Sequence, residues 1–496
     1  MVKTWLCALV LLTSWAWAEL PEKIRIGSKA FPESWVLGEA CSQLARESGA
    51  QVEYRKSLGA TEIIYQALKQ GSIDVYPEYT GTIKQVFLKN LNNPGDADAL
   101  EALALDRLGM SYSLGFSNDY ALAVPEKVTQ LQQISDLGKF PDTRYALNQE
   151  FVGRKDGWNG LSQAYNLHPK NFSEMQHELC YAAIGSGKAD VTNVYTTDAQ
   201  VDKLKLRLLI DDKQYFPRYD AVLLYRADLP NRCPKAWAAL LQLVGKVSAE
   251  KMRRANSKLV LDRQDAAEAG AFLLDECLPQ RSARSEVAPS SPGWNWAMVG
   301  ERSWRHLQLV SVSLLIAIVV GIPLGVLASR SPRMARITLS LAGLLQTIPS
   351  LALLAFVVPV TGVGPAPALL ALFVYSLLPI VRNTYTGLTT LPGNLSEAAE
   401  ALGLPPLAQL WRIRLPMASP SILAGIKTSA VINVGTATLA ALVGAGGLGE
   451  SILQGISLLD HQLIFQGAIP AAALALLAQG FFDMVEKWVV PRGLRI

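Results

Sequence analysis

YQALKQGSIDVYPEYTGT, Tyr65 to Thr82, returns further along the chain as YAAIGSGKADVTNVYTTD, Tyr181 to Asp198. In one ungapped register Tyr65 lies over Tyr181, Gly71 over Gly187, Asp74 over Asp190 and Tyr79 over Tyr195. Each copy reads as a helix end, a glycine turn, a short strand (Ile73 to Tyr76, Ala189 to Val194) and a tyrosine just past the strand's carboxyl end. In an open α/β sheet that end is where ligands sit. Two such copies predict two α/β lobes, each offering a tyrosine to a shared cleft; the plainer alternative is two core tyrosines and a chance match.

On either side of the repeat, strand and helix alternate, which favours parallel sheets. IRIGSKAF (Ile24 to Phe31) opens one lobe and TRYALNQEF the other. NDYALAV (Asn118 to Val124) and FPRYDAVLLY (Phe216 to Tyr225) read as strands that cross between them. These assignments give a lobe of about 19–117 plus 221–280 and a second of about 118–220, with two crossings acting as a hinge.

At 496 residues the chain is long enough for about three domains. Its composition is split: residues 19–285 are polar and charged, whereas 307–490 hold long apolar runs that a soluble core does not need. A net charge of +4, without a basic stripe, argues against a nucleic-acid partner. MVKTWLCALVLLTSWAWAEL has Lys3, an apolar run and an A-x-A ending at Ala18, so residues 1–18 read as a signal peptide or, uncleaved, an anchor. Export would put Cys41, Cys180, Cys233 and Cys277 in an oxidising compartment, with Cys233–Cys277 the preferred pair and buried free thiols the alternative.

A Ser/Pro/Ala-rich linker and a Trp-rich interfacial segment, with Trp294, Trp296 and Trp304, fill 281–306. Five apolar segments follow, at about 307–329, 337–360, 365–381, 417–441 and 463–490. Each is long enough for a bilayer core of about 30 Å at about 1.5 Å per residue. With the lobes outside, Arg330, Arg333, Arg336, Arg382, Arg412, Arg414 and the tail cations Lys487, Arg492 and Arg495 all fall inside, while TGVGPAP and VGAGGLGESILQGISLLDHQ, outside, have no Lys or Arg. Every loop obeys the positive-inside rule, which puts the C-terminus in the cytoplasm.

The third loop contains EAAEALGLPPLAQLWRIRLP, from Glu397 to Pro416. It resembles the EAA loop of ABC-importer permeases, matching at Glu397, Ala398, Ala399, Gly403, Ile413, Leu415 and Pro416. The resemblance implies that residues 395–416 form a cytoplasmic coupling helix, with Ala398 and Ala399 on a surface that seats in an ABC ATPase subunit. No G-x-x-x-x-G-K-[ST] occurs in the sequence, so ATP hydrolysis is expected from that partner, with no enzyme activity, cofactor or metal in this chain. A half-permease of five spans implies a second copy, a homodimer in the bacterial inner membrane.

The polar part, in IGSKAF, LGATEI, GSIDVYPEYTGT, NDYALAV, EFVGRKDG and FPRYDA, resembles the binding proteins of glycine betaine, choline and carnitine importers. The whole chain is thus similar to such a binding protein fused to its permease: a two-lobed α/β periplasmic binding domain of type II followed by an all-α transmembrane domain. Carried over residue by residue, the aromatic cage falls on Tyr79, Tyr120, Tyr195 and Tyr219, and the polar ligand-holding residues on Lys29, Thr82, Arg154 and Asn118, with Glu150 on the facing wall. The chemistry fits: a trimethylammonium head donates no hydrogen bonds, and each desolvated aromatic face attracts it by about 0.5–2 kcal/mol. Arg154 and Lys29 suit a carboxylate at the other end and favour a zwitterion such as glycine betaine.

Alternatives accompany each residue. A strand-end tyrosine also serves packing; Arg154 also suits an ion pair with Glu150, Asp156 or Glu174; Asp74, capping the turn, and Glu78 read as structural; Asn433 fits either a pathway or an interhelical hydrogen bond. Ser34, where many relatives have glutamine, and Asp119–Tyr120, where they have a Thr-Tyr pair, leave choline, carnitine and ergothioneine open as ligands. Two rivals from other classes are a ligand-gated channel or sensor, and an amino-acid-binding module.

Overall fold

A computed structural model of the chain describes residues 22–59, 61–88, 95–154, 156–281 and 294–490. The signal peptide at 1–18, linker residues 282–293 and the tail arginines Arg492 and Arg495 lie outside the described residues.

The polar part folds as two five-stranded sheets with one topology used twice, as the repeat requires. The first has the order β2-β1-β3-β10-β4 and the second β7-β6-β8-β5-β9. Their strands are β1 (Lys23–Gly27), β2 (Gln51–Arg55), β3 (Val75–Tyr79), β4 (Leu108–Met110) and β10 (Ala221–Arg226), against β5 (Tyr120–Pro125), β6 (Arg144–Asn148), β7 (Asn171–Met175), β8 (Val191–Tyr195) and β9 (Leu206–Leu208). Gly71 and Gly187 both sit at φ +71, the left-handed conformation that lets each helix turn into its strand at no Cβ cost. Asp74 does not cap that turn as expected. It accepts from the Arg25 backbone at 2.7 Å and the Arg25 guanidinium at 2.8 Å, and Asp190 does the same for Arg144 at 3.1 and 2.7 Å, so each clamps the first strand of its lobe to the third.

Each of β5 and β10 sits in the sheet of the lobe it has crossed into, antiparallel to its neighbour. The crossings are joined by a bridge between Ser117 and Asp220. Around the sheets pack α1 (Pro32–Glu47), α2 (Thr61–Lys69), α3 (His177–Gly185), α4 (Ala249–Val260) and α5 (Ala266–Cys277), the last two against α1. Cys41, Cys180, Cys233 and Cys277 are buried free thiols, so the expected Cys233–Cys277 pair is not formed; Cys233 instead donates to the Lys23 carbonyl at 3.3 Å. Burial pushes the Cys41 thiol up to about 12, which leaves it unreactive.

Beyond the linker, four helices are long and apolar enough to span a membrane among the described residues, and a bent pair makes five if it counts as one broken span. They are α6 (Trp296–Ala328), the pair α7 (Pro332–Thr347) and α8 (Ser350–Thr361), α9 (Pro365–Thr389), the run Pro406–Val443 that contains α11 (Leu415–Thr436), and α13 (His461–Val489). The 94° bend falls at Pro349, whose ring pushes Ile348 to an extended ψ of 122° and so stops α7. Arg382 lies within α9 rather than in the third loop, because that helix runs on to Thr389. Between α9 and α11 stands α10 (Gly393–Ala401), and between α11 and α13 stands α12 (Leu448–Ser457). Asn433 donates to the Ser313 hydroxyl at 3.1 Å, an interhelical bond between α11 and α6.

The two parts share one apolar core. Leu58, Ile64, Leu68 and Tyr76 of the first lobe pack in the same cluster as Val358, Val363, Ala440 and Val443 of the membrane domain.

Candidate functional site

Strand register explains where the four tyrosines meet. Tyr195 is the last residue of β8 and Tyr120 the first of the antiparallel β5, so they stand directly opposite each other, rings 5.0 Å apart. Tyr79 ends β3 and Tyr219 lies two residues before β10, its ring edge-on to Tyr120 at 5.4 Å. The cleft they line is a cavity of about 440 Å3, and Lys29, Thr82, Asn118, Glu150 and Arg154 line it too. All nine side chains singled out for the ligand are thus brought to one chamber.

The electrostatics differ from the sequence expectation. Lys29 was expected to hold a ligand carboxylate, but its ammonium already sits 2.5 Å from the buried Glu78, which also accepts from the Tyr76 hydroxyl and the Tyr79 backbone. Glu78 therefore does more than support the fold: it neutralises a wall of the chamber. Arg154 makes a two-armed pair with Asp156 at 2.8 and 2.6 Å, rather than with Glu150 or Glu174. Its guanidinium also lies over the rings of Tyr120 and Tyr219, 5.6 and 5.8 Å from their centroids, while Lys29 lies 5.5 Å from that of Tyr79. One side of three tyrosines therefore faces a cation of the protein itself.

Glu33 was missed. It is fully buried on α1 and accepts four hydrogen bonds: Tyr79 hydroxyl 2.6 Å, Asn118 amide 2.9 Å, Thr197 hydroxyl 2.5 Å and Asn256 amide 2.8 Å. These donors come from the first lobe, the crossing strand, the second lobe and α4, so one carboxyl ties the two lobes together. Burial raises the Glu33 carboxyl above its ordinary value, and the hydrogen bonds from Thr197, Tyr79 and Asn256 offset part of that rise. A lone glutamate after Phe-Pro carries no sequence signal of this role, because its partners are separated from it by up to 223 residues.

His177 was missed as well. It lines the chamber beside Tyr195, ring centroids 4.6 Å apart, with Nε2 2.8 Å from Asp198. Burial alone lowers the His177 ring, and the Asp198 carboxylate more than reverses this, so the imidazole protonates above its ordinary value of 6.5. The pair accordingly adds stability that is complete below about 6.5 and fades as pH rises through the raised value. For a cationic ligand the consequence runs the other way. Affinity should fall, about three- to tenfold, as acidification charges His177 beside the cage, and His177→Asn should flatten that profile; a profile identical in wild type and variant would remove the effect.

In the third loop Glu397 and Ala398 are exposed, whereas Ala399 is buried at 2% and so does not share the outward surface expected of it. Gly403, at φ +69, ends α10, and a wide helical turn over Leu410–Arg414 carries Ile413 into Leu415 and Pro416 at the start of α11. Arg412 is exposed on that turn.

Two lobes facing each other across an aromatic chamber, carried on a helical membrane domain, define a solute importer subunit. Residues 22–274 match the family described as the substrate-binding domain of the ABC-type glycine betaine transport system, and residues 317–492 match the binding-protein-dependent transport system inner membrane component. The choline transport system permease protein OpuBB of Bacillus subtilis (strain 168) is 39% identical over 194 residues, 39% of this chain and 89% of the relative. The osmoprotectant import permease protein OsmW of Salmonella typhimurium is 40% identical over 206 residues, 40% of this chain and 96% of the relative. A crystal structure of a glycine betaine/carnitine/choline ABC transporter aligns over 51% of this chain and 98% of its own, at 26% identity and a TM-score of 0.45. The chain belongs to this family: it is the permease of an ABC-type osmoprotectant importer with the substrate-binding domain built into the same polypeptide. It is an integral inner-membrane protein that works with an ATPase subunit and is not itself an enzyme.

Proposed function

We propose that the chain is both receptor and pore for a quaternary ammonium osmoprotectant. Its binding domain, on the periplasmic side, closes on the ligand and delivers it to a pore formed by two copies. The ATPase docks on the Glu397–Pro416 segment, with the C-terminus cytoplasmic. The observation that carries this reading is the chamber of four tyrosines assembled from both lobes. Methylated nitrogen, which no hydrogen-bonding cage can hold, is the chemistry such faces select. The distribution of arginines among the loops supports the orientation. The signal peptide expected from the sequence at 1–18 would give the same sidedness.

Glycine betaine is the first candidate, with the residual donors of Lys29 and Arg154 receiving its carboxylate. The pairing of both cations with Glu78 and Asp156 favours a second reading, a choline-like monocation, since the chamber wall then keeps only Glu150 and Glu178 as carboxylates without a basic partner in an ion pair among the described residues. Titration of the full chain in nanodiscs with glycine betaine, choline and common amino acids separates these readings by rank order. Tyr195→Ala should weaken quaternary ammonium binding at least tenfold, about 1.4 kcal/mol. An unchanged affinity would sink the cage.

A further inference from the structure

We propose that the membrane domain completes the ligand chamber: Leu442, with Leu453, Ile456 and Ser457 of α12, forms its floor and sets the size of ligand it accepts. This rests on the chamber being the ligand site. The cavity that the four tyrosines line is bounded by these four side chains as well. They come from the segment between α11 and α13, far in sequence from every residue that bears an aromatic face.

The placement follows from how the first lobe rests on the membrane domain. A Cβ on Gly59 would stand 2.9 Å from the Leu442 carbonyl, and one on Gly444 would stand 2.4 Å from the Leu58 side chain, so both glycines permit a close seat. Gln70 donates to the Pro359 carbonyl at 2.6 Å, and Arg263 lies 3.9 Å from Asp460. Every hydrogen bond and ion pair found between the two parts among the described residues comes from the first lobe and its C-terminal helices. That lobe is the fixed wall, and the chamber stays over the floor as the second lobe moves.

On α12 the sequence sorts itself by face. Leu453, Ile456 and Ser457 are spaced i, i+3, i+4 and turn to the chamber, while Ser451 and Gly455, spaced i, i+4, turn to the membrane domain. Arg302 anchors that side, donating to the Ser451 hydroxyl at 2.5 Å and the Gln454 amide oxygen at 3.1 Å. Gly455 packs against Ile464, where a Cβ would stand 2.6 Å from the backbone nitrogen. Gly444, Gly446 and Gly447, at φ +70, +86 and +95, make the reversal that lays α12 under the cleft. A floor of two leucines and an isoleucine offers no charge. It suits the methyl groups and methylene chain of a betaine, and its bulk limits ligand length.

The test is titration of the full chain in nanodiscs with glycine betaine and with the longer carnitine. Leu453→Ala should shift the ratio of their dissociation constants at least fivefold toward carnitine, and Leu453→Trp should weaken both at least tenfold. Leu476→Ala, exposed on α13, should change neither. Wild-type affinities and ratio in both Leu453 variants would overturn the floor while leaving the chamber intact. Absence of saturable binding of either compound by the unsubstituted chain would overturn the floor together with the reading it rests on.

Discussion

Glu33→Ala should be the most damaging single substitution in the binding domain, lowering its stability by about 3–5 kcal/mol and ligand affinity by at least tenfold. The reason is the count of donors it strands. The Asn118 and Asn256 amides and the Tyr79 and Thr197 hydroxyls all point at this one carboxyl, and the site is closed to water. A buried donor left without an acceptor costs about 1–3 kcal/mol, and the hydroxyls are freer to turn elsewhere than the amides. Glu33→Gln keeps one oxygen and should lose less than half as much. It also supplies a pH signature. Burial holds the Glu33 proton above the ordinary carboxylate range, so the wild type has its full stability from this group below about 4.5 and loses it as pH rises through the raised value; the glutamine variant has no such slope. Thermal unfolding of both variants across pH checks this, and equal stability of Glu33→Ala and wild type would dismiss the interlobe tie.

The second large effect is expected at a residue that need never touch the ligand. Gly81 lies in the helical turn Thr80–Thr82 after β3, and a Cβ there would stand 2.3 Å from Cδ1 of Tyr219 and 2.4 Å from Cε1. Tyr219 has nowhere to go: it is 2% exposed, its hydroxyl is bonded to Asp156, and the Arg154 guanidinium covers its ring. Gly81→Ala should therefore cost about 1–3 kcal/mol through overpacking and weaken quaternary ammonium binding at least tenfold by displacing one wall of the cage. Adding Tyr219→Ala to Gly81→Ala should produce little further loss of affinity, because both act through the same ring. If the two losses simply add, Gly81 acts by another route.

The repeat carries the fold because its residue types are each forced by backbone or strand chemistry. Gly71 and Gly187 are needed for a positive φ, and Asp74 and Asp190 clamp Arg25 and Arg144 in matching positions. Such constraints are local or recur at fixed spacing, and the same holds for the apolar spans and the Glu397–Pro416 segment. Tyr79, Tyr120, Tyr195 and Tyr219 were legible for a related reason: each stands at a strand end or crossing, and strand ends converge in this architecture. Strand limits were less exact, since Tyr79 and Tyr195 close their strands instead of following them.

Sequence alone thus determined two similar lobes, a helical membrane domain and the tyrosines of a cleft, since these follow from periodicity, turn chemistry and internal repetition. Tertiary structure alone decided which charges remain available and what bounds the chamber. Lys29 meets Glu78, Arg154 chooses Asp156 over Glu150 and Glu174, Glu33 gathers four donors, and α12 closes the floor. Each of these is set by the distance between atoms that the folded chain brings together, a quantity that neither residue type nor spacing encodes.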